Sequence, residues 1–407
     1  MYRIKKFLGK EYERINQIID SFNSMESSYI NLEACCSCPY ESVLEAQKAP
    51  VFILPTEGVP GNRYFPDMES IEEIDVYSEE LVLKLFGLSK NTYRATTQPH
   101  SGTQANQIVY NAVLKDGDVI LSLDTKSGGH ISHNKFGKNI TVINFGLLDN
   151  EIDYQQILNL TQKYHPKLIV IGASSYPNMI DYQKIIQIAH ENNSLVLADI
   201  CHTALYILGK VYPTPFPDVD FVSFTMDKTL RGPQGGVLIY KKDFSSIINY
   251  SIFPLTQGGP LQSLQFAKLA CLVELNNTNL REYAQKVQHN AQIMNNVFSA
   301  SNIRTFSRDN KTHIILIDTN SVSMTGAEAE SLLFSKNILS NKNMIPNDTR
   351  SPQVTSGLRL GVTYITNQEY TDDDIRKLSN YIISVLKRQD ISNDVCIELL
   401  NKYNKND

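Results

Sequence analysis

The sequence predicts an α/β fold: a large domain on a mostly parallel sheet, followed by a smaller α+β domain. Three observations carry this. Between about residues 80 and 245, short apolar, β-rich runs alternate with longer helical patterns. Those runs are continuously apolar, as strands covered on both faces are. After about residue 265 the rhythm changes to long helical stretches with few strands. The length of 407 residues also exceeds what one hydrophobic core usually serves.

Taken in order, the N-terminal MYRIKKFLGKEYERINQIID has the Ile and Phe spacing of an amphipathic helix or arm. Strand candidates follow at VILSLD (119–124), TVINF (141–145), KLIVIGAS (167–174), LVLADI (195–200), DFVSFT (220–225) and GVLIYK (236–241). Helical patterns at 103–115, 153–164 and 181–193 separate them. A long helical region (263–300), the strand-like THIILIDT (312–319), further helices, GLRLGV (357–362) and a closing helix make up the rest. The polar tail after about residue 390 is expected to fray. The expected division is an N-terminal helical arm (1–30), a large domain (31–265) and a small C-terminal domain (266–407).

A formal net charge of -5, with 20% charged residues, gives no reason to expect nucleic acid or an anionic membrane as a partner. No apolar run is long enough to span a bilayer, and the N-terminus lacks the apolar core of a secretory signal. The cytosol is the expected location. Six cysteines include one cluster, Cys35, Cys36 and Cys38. A structural metal would need a second cluster to complete four ligands, and none has suitable spacing, so free thiols and no metal are expected.

In parallel sheets of this kind, ligands bind at the carboxyl ends of strands. Three segments there carry chemistry. Ser101-Gly102-Thr103-Gln104 opens an amphipathic helix, where outward N–H groups, the helix dipole and hydroxyls suit an anion, although a plain N-cap would look the same. Asp199, ending a buried strand in Ala198-Asp199-Ile200-Cys201-His202, is costly without a partner. A protonated pyridine nitrogen is one such partner, and a capped loop is the other reading. Lys228, in Thr225-Met226-Asp227-Lys228-Thr229-Leu230-Arg231-Gly232-Pro233-Gln234-Gly235-Gly236, follows a buried strand and precedes a Gly-rich turn. That suits imine formation with an aldehyde cofactor, against the simpler reading of a solvated turn lysine.

The order of these segments resembles the fold-type I enzymes that use pyridoxal-5′-phosphate, and the strings themselves resemble serine hydroxymethyltransferase. QPHSGTQAN (98–106) is similar to that family's phosphate turn, SGGHISH (127–133) to its ring-stacking segment and DKTLRGPQGG (227–236) to its lysine signature. EGVPGNRY (57–64), FPLTQGGP (253–260), IPND (345–348) and VTSGLRLG (354–361) match further family segments, so the likeness runs from about residue 30 to 385.

The resemblance implies a seven-stranded type of sheet and a role for each matching residue. Ser101, Gly102 and Thr103 would hold the phosphate, and His130 would stack on the ring. Asp199 would pair with the pyridinium nitrogen, with His202 and Ser174 near the phenolic oxygen. Lys228 would carry the cofactor as a Schiff base beside Thr225. Arg359 would bind the substrate carboxylate, Glu57 would act as acid/base, and Tyr64 and Asn347 would lie near a folate site. Cys35 falls in a substrate-binding segment. Gly258 and Gly259 would reach the phosphate of a partner subunit, which implies a homodimer with shared sites.

Departures from the family cluster around substrate and cofactor. Pro55 stands where a phosphate-contacting Tyr is usual, and Phe65 replaces the second of paired tyrosines. Cys35-Cys36-Ser37 replaces a Ser-Glu-Asn segment. Asp227 replaces a His, Gln234 an Arg, and Thr125 an aliphatic residue of the pterin site. The implied activity is making or breaking the Cα–Cβ bond of a β-hydroxy-α-amino acid of the glycine, serine or threonine type. The departures suggest a specialised variant in which tetrahydrofolate is not needed. Folate-independent threonine aldolase or transaldolase chemistry, or decarboxylation, oxidation or transamination of an amino acid, are the rival readings.

Overall fold

The computed structural model describes residues 6–53, 55–134, 139–307 and 310–403. The chain divides into two compact units. One comprises residues 37–288 and 345–347, the other 1–36, 289–344 and 348–407. The division falls inside one helix, Leu280–Ala300, and the first 36 residues belong with the smaller unit.

The larger unit holds a seven-stranded sheet. Its strands are β1 (Tyr93–Thr96), β2 (Val119–Leu123), β3 (Thr141–Phe145), β4 (Leu168–Gly172), β5 (Leu195–Asp199), β6 (Phe221–Thr225) and β7 (Gly236–Lys241). Their spatial order is β1-β7-β6-β5-β4-β2-β3. All pairs from β6 across to β3 are parallel, while β6–β7 and β7–β1 are antiparallel. Every residue of β4 and β6 is buried, which is why these runs are apolar without alternation. β1 is absent from the sequence prediction. Only Tyr93 and Ala95 of its four residues are buried, too few to register as a run.

The helices Gly102–Val113, Tyr154–Tyr164 and Tyr182–Glu191 begin at Ser101, Asp153 and Asp181. Each of those side chains accepts a hydrogen bond from the backbone N–H three residues on, the usual way to satisfy a helix's first N–H groups. Ala105, Ile108 and Val109 pack with Leu197, Phe221 and Leu238 in the main core. The region 263–300 is two helices, Gln262–Asn277 and Leu280–Ala300.

In the smaller unit, β8 (Ile314–Asp318), β9 (Asn341–Asn343) and β10 (Gly357–Gly361) form an antiparallel sheet in the order β8-β10-β9. Ile30–Asn31 pairs in parallel with Ile338–Leu339. The tail corrects the expectation of fraying, because Asp394–Tyr403 is a helix. Cys396 and Leu399 are fully buried and Tyr403 stacks on Tyr370, so three side chains on one face anchor a segment whose average composition is polar.

Candidate active site

The carboxyl ends of β4, β5 and β6 meet the N-terminus of helix Gly102–Val113 around a cavity of about 160 Å³. It is lined by Ser101, Gly102, Thr103, His130, Ser174, Asp199, His202, Thr225 and Lys228, together with Ala173, Cys201 and Asp227. The first nine come from five segments spread over more than a hundred residues of sequence, and the sheet brings them together. The other anticipated residues lie elsewhere. Glu57, Gly258 and Gly259 sit close together in the same unit, with a Cβ on Gly259 lying 3.4 Å from Glu57 N, and Tyr64 packs at 5.2 Å on Phe253. Glu57 and Tyr64 are exposed there. Asn347 is exposed on the short segment 345–347, at φ 60°. Arg359 and Cys35 belong to the smaller unit, where Arg359 Nε donates to Asn341 Oδ1 at 3.0 Å.

Asp199 is the electrostatic centre. Its Oδ2 accepts from Asn106 Nδ2 at 2.9 Å and bonds His133 Nε2 at 3.0 Å, and its Oδ1 accepts from Cys201 N at 3.2 Å. Burial works to raise its pKa. The hydrogen bond and charge of His133, with the bonds at Cys201 and Asn106, outweigh burial and hold the carboxyl well below the usual range. Asn106 is itself fixed by Ser223 Oγ, which donates to its Oδ1 at 2.6 Å. His130 Nδ1 accepts from Ser132 N at 3.2 Å and lies 2.8 Å from Ser132 Oγ, setting its ring edge-on to His133. Reading the sequence missed His133, Asn106 and Ser223. The available signal was the second His of SGGHISH and an Asn one turn into the helix that opens at Ser101.

At the anion end, Ser101 Oγ accepts from Gln104 N at 3.1 Å. The first N–H groups of a helix have no intrahelical acceptor, so those of Gly102 and Thr103 are suited to an anion. The two glycines closing the lysine signature have distinct spatial reasons. A Cβ on Gly236 would lie 2.3 Å from Ser101 O, and one on Gly235 would lie 2.1 Å from Lys268 Cε. Lys268 is buried beneath the turn, its Nζ donating to the carbonyls of Thr97, Pro99 (2.8 Å) and Gly236 (3.3 Å). Burial pushes its pKa down to about 7 against the pull of Asp75 and Asp227. Lys268→Met is therefore expected to leave these buried carbonyls unpaired and to destabilise the chain by about 1–3 kcal/mol, read from urea unfolding. The deficit should widen from pH 7 towards pH 10. There the folded wild-type amine is already neutral while its unfolded counterpart still binds a proton, so wild-type stability rises. A variant as stable as wild type across that range would remove Lys268 as a strut of the turn.

The residues fit pyridoxal-5′-phosphate. A helix N-terminus with hydroxyls suits an anion at one end, and a buried carboxylate held anionic suits a cation at the other. Thr225 Oγ1 is buried and has no nitrogen or oxygen partner among the described residues. A Cβ on Gly102 would press Thr225 Cγ2 at 2.8 Å and Cys201 Sγ at 3.0 Å, so the cradle depends on glycine.

The serine hydroxymethyltransferase family profile matches residues 8–382. The chain is 36% identical over 392 residues to serine hydroxymethyltransferase of Bordetella avium (strain 197N), covering 95% of this chain and 93% of that one. To that of Herminiimonas arsenicoxydans it is also 36% identical, covering 95% and 94%. To serine hydroxymethyltransferase 1 of Pseudomonas fluorescens (strain Pf0-1) it is 35% identical, covering 92% of each. Match and pocket agree, and the chain belongs to the serine hydroxymethyltransferase family, fold-type I enzymes of the transferase class whose cofactor is pyridoxal-5′-phosphate.

Proposed function

We propose that the chain makes and breaks the Cα–Cβ bond of a β-hydroxy-α-amino acid of the serine, threonine and glycine type, as a specialised variant that does not need tetrahydrofolate. The observation that carries the chemistry is the convergence of Lys228, Asp199, His130 and the Ser101–Thr103 turn on one cavity. When bound, the cofactor supplies an electron sink that makes bonds at an amino acid's Cα labile.

In this reading Lys228 is the attachment point, and Thr225 stands beside it. Ser101, Gly102 and Thr103 hold the phosphate. His130 covers one face of the ring, Asp199 holds the ring nitrogen's proton, and His202 and Ser174 border the phenolic oxygen. Arg359 receives the substrate carboxylate through its planar fork. Glu57 moves the proton of the β-hydroxyl, which a carboxylate can do with or without folate. Glu57, Tyr64, Gly258 and Gly259 are read as serving a neighbouring copy in a homodimer. The exposure of Glu57, Tyr64 and Gly258, in a unit that also exposes the apolar side chains Tyr250, Leu255 and Leu261, supports that reading.

The departures at Phe65, Cys36, Thr125 and Gln234 support folate independence. A phenol lost to Phe removes a proton donor, and one such hydrogen bond to a developing charge is worth on the order of 10²-fold in rate. The experiment compares turnover of serine, threonine and bulkier β-hydroxy amino acids with and without tetrahydrofolate, on protein sized at assay concentration. Cleavage at similar rates in both arms is expected, from a dimer. Strict folate dependence with serine alone would return the chain to ordinary hydroxymethyl transfer. Release of carbon dioxide or of an oxo acid instead would favour decarboxylation or transamination, and a fully active monomer would remove the shared-site reading.

A further inference from the structure

We propose that Glu33, Cys35 and Cys36 form an open, three-ligand site for a thiophilic divalent cation such as Zn²⁺. Their ligand atoms all lie within 4.8 Å of one another, the one such grouping of three among the described residues. Cys36 Sγ is 3.4 Å from Glu33 Oε2. Around one tetrahedral ion, with metal–sulfur bonds of about 2.3 Å and metal–oxygen bonds of about 2.0–2.2 Å, donor atoms sit roughly 3.3–3.8 Å apart. The group therefore needs only small side-chain rotations to close on an ion.

The backbone holds the donors in place. Cys36 N donates to Glu33 O at 3.1 Å, closing a turn that puts Glu33 back beside the two thiols. Glu33 N donates to Asn31 Oδ1 at 2.9 Å, Leu32 N to Leu339 O at 3.0 Å and Gly361 N to Leu32 O at 2.7 Å. The buried His313 bonds Ala34 O through Nε2 at 2.8 Å. Bonds on both sides thus tie the turn to the strand Ile338–Leu339 and to β10, and a pre-set turn lowers the ordering cost of ligation.

Charge also fits. Two thiolates and a carboxylate carry three negative charges. A divalent cation cancels two, and the Arg359 guanidinium, whose electrostatic partners are Cys35, Glu33 and Cys36, cancels the third. The partial exposure of the turn leaves a fourth coordination position open to water, as in zinc sites with three protein ligands. The sequence reading looked for a second cysteine cluster and so passed over a carboxylate two residues upstream of the first.

The test uses the full chain, loaded with pyridoxal-5′-phosphate, kept reduced by a phosphine and titrated with Cd²⁺. A thiolate-to-metal charge-transfer band saturating at one ion per chain and reversed by Zn²⁺ is expected. C35S and C36S should each lose the band, and E33Q should keep it with affinity about tenfold weaker. C38S should leave it unchanged. No saturable band, a band surviving C35S and C36S, or a band lost in C38S would overturn the proposal. Because the readout is binding, the result stands apart from any reading of the catalysed reaction.

Discussion

Lys228→Ala is expected to abolish fixation of the cofactor by borohydride and to lower turnover by on the order of 10³-fold or more. Lys228 is the lysine among the described residues lining the cavity. An amine held in place reacts as if at very high concentration, with effective molarities of oriented groups reaching about 10⁵ M and above. An external amine replaces little of that. The Ser101–Thr103 turn and Asp199 remain in the variant, so cofactor should still bind reversibly, through its phosphate and ring. Reduction followed by peptide mapping places the label on the Lys228 peptide in the wild-type chain. A label on the Lys126 or Lys268 peptide, or undiminished fixation in Lys228→Ala, would sink the assignment. Lys268 is a poor rival on structural grounds, since its Nζ is spent on three backbone carbonyls beneath the turn.

The second large effect is at Asp199. Asp199→Asn keeps the shape but removes the charge, and turnover should fall on the order of 10²–10³-fold, as when a preorganised electrostatic partner is lost. Asp199→Ala should do more, because it strands buried His133 and Asn106. Removing one member of a buried charged network costs roughly 3–5 kcal/mol. The pH dependence has a definite sign. The folded carboxyl titrates well below its ordinary value. Its stabilisation is therefore fully present above the unfolded pKa of about 3.9 and is lost progressively as pH falls below it. Urea midpoints followed from pH 6 to pH 3 should drop more steeply for wild type than for Asp199→Asn. Parallel curves, or an Asn variant with unchanged turnover, would show that the Asp199–His133 pair does not govern the site.

Five of the seven central strands, β2 and β4 to β7, were legible because each is a mostly buried apolar run, a property of the residues themselves, while β3, of which only Phe145 is buried, was legible from its β-rich composition. β1 was not, since its place at the sheet edge comes from antiparallel pairing with β7, a contact more than a hundred residues away. The C-terminal helix was hidden for a similar reason. Its polar average conceals Cys396 and Leu399, whose burial depends on what packs over them.

The same division holds for the site. The local strings around Ser101, His130, Asp199 and Lys228 marked residues that line one cavity, because each string carries particular residue types in a short order. Which groups surround Asp199 was decided by the fold, since His133 and Asn106 reach it, and Ser223 holds Asn106, from three separate segments. Local spacing also could not show why Gly235 and Gly236 stand together. One leaves room for Lys268 and the other for the Ser101 carbonyl, both distant in sequence. By itself the sequence determined the fold class, the family and the order of the segments that line the cavity. The tertiary structure alone decided which buried polar groups share a hydrogen bond, because such bonds form between atoms that only the packed chain brings within 3 Å.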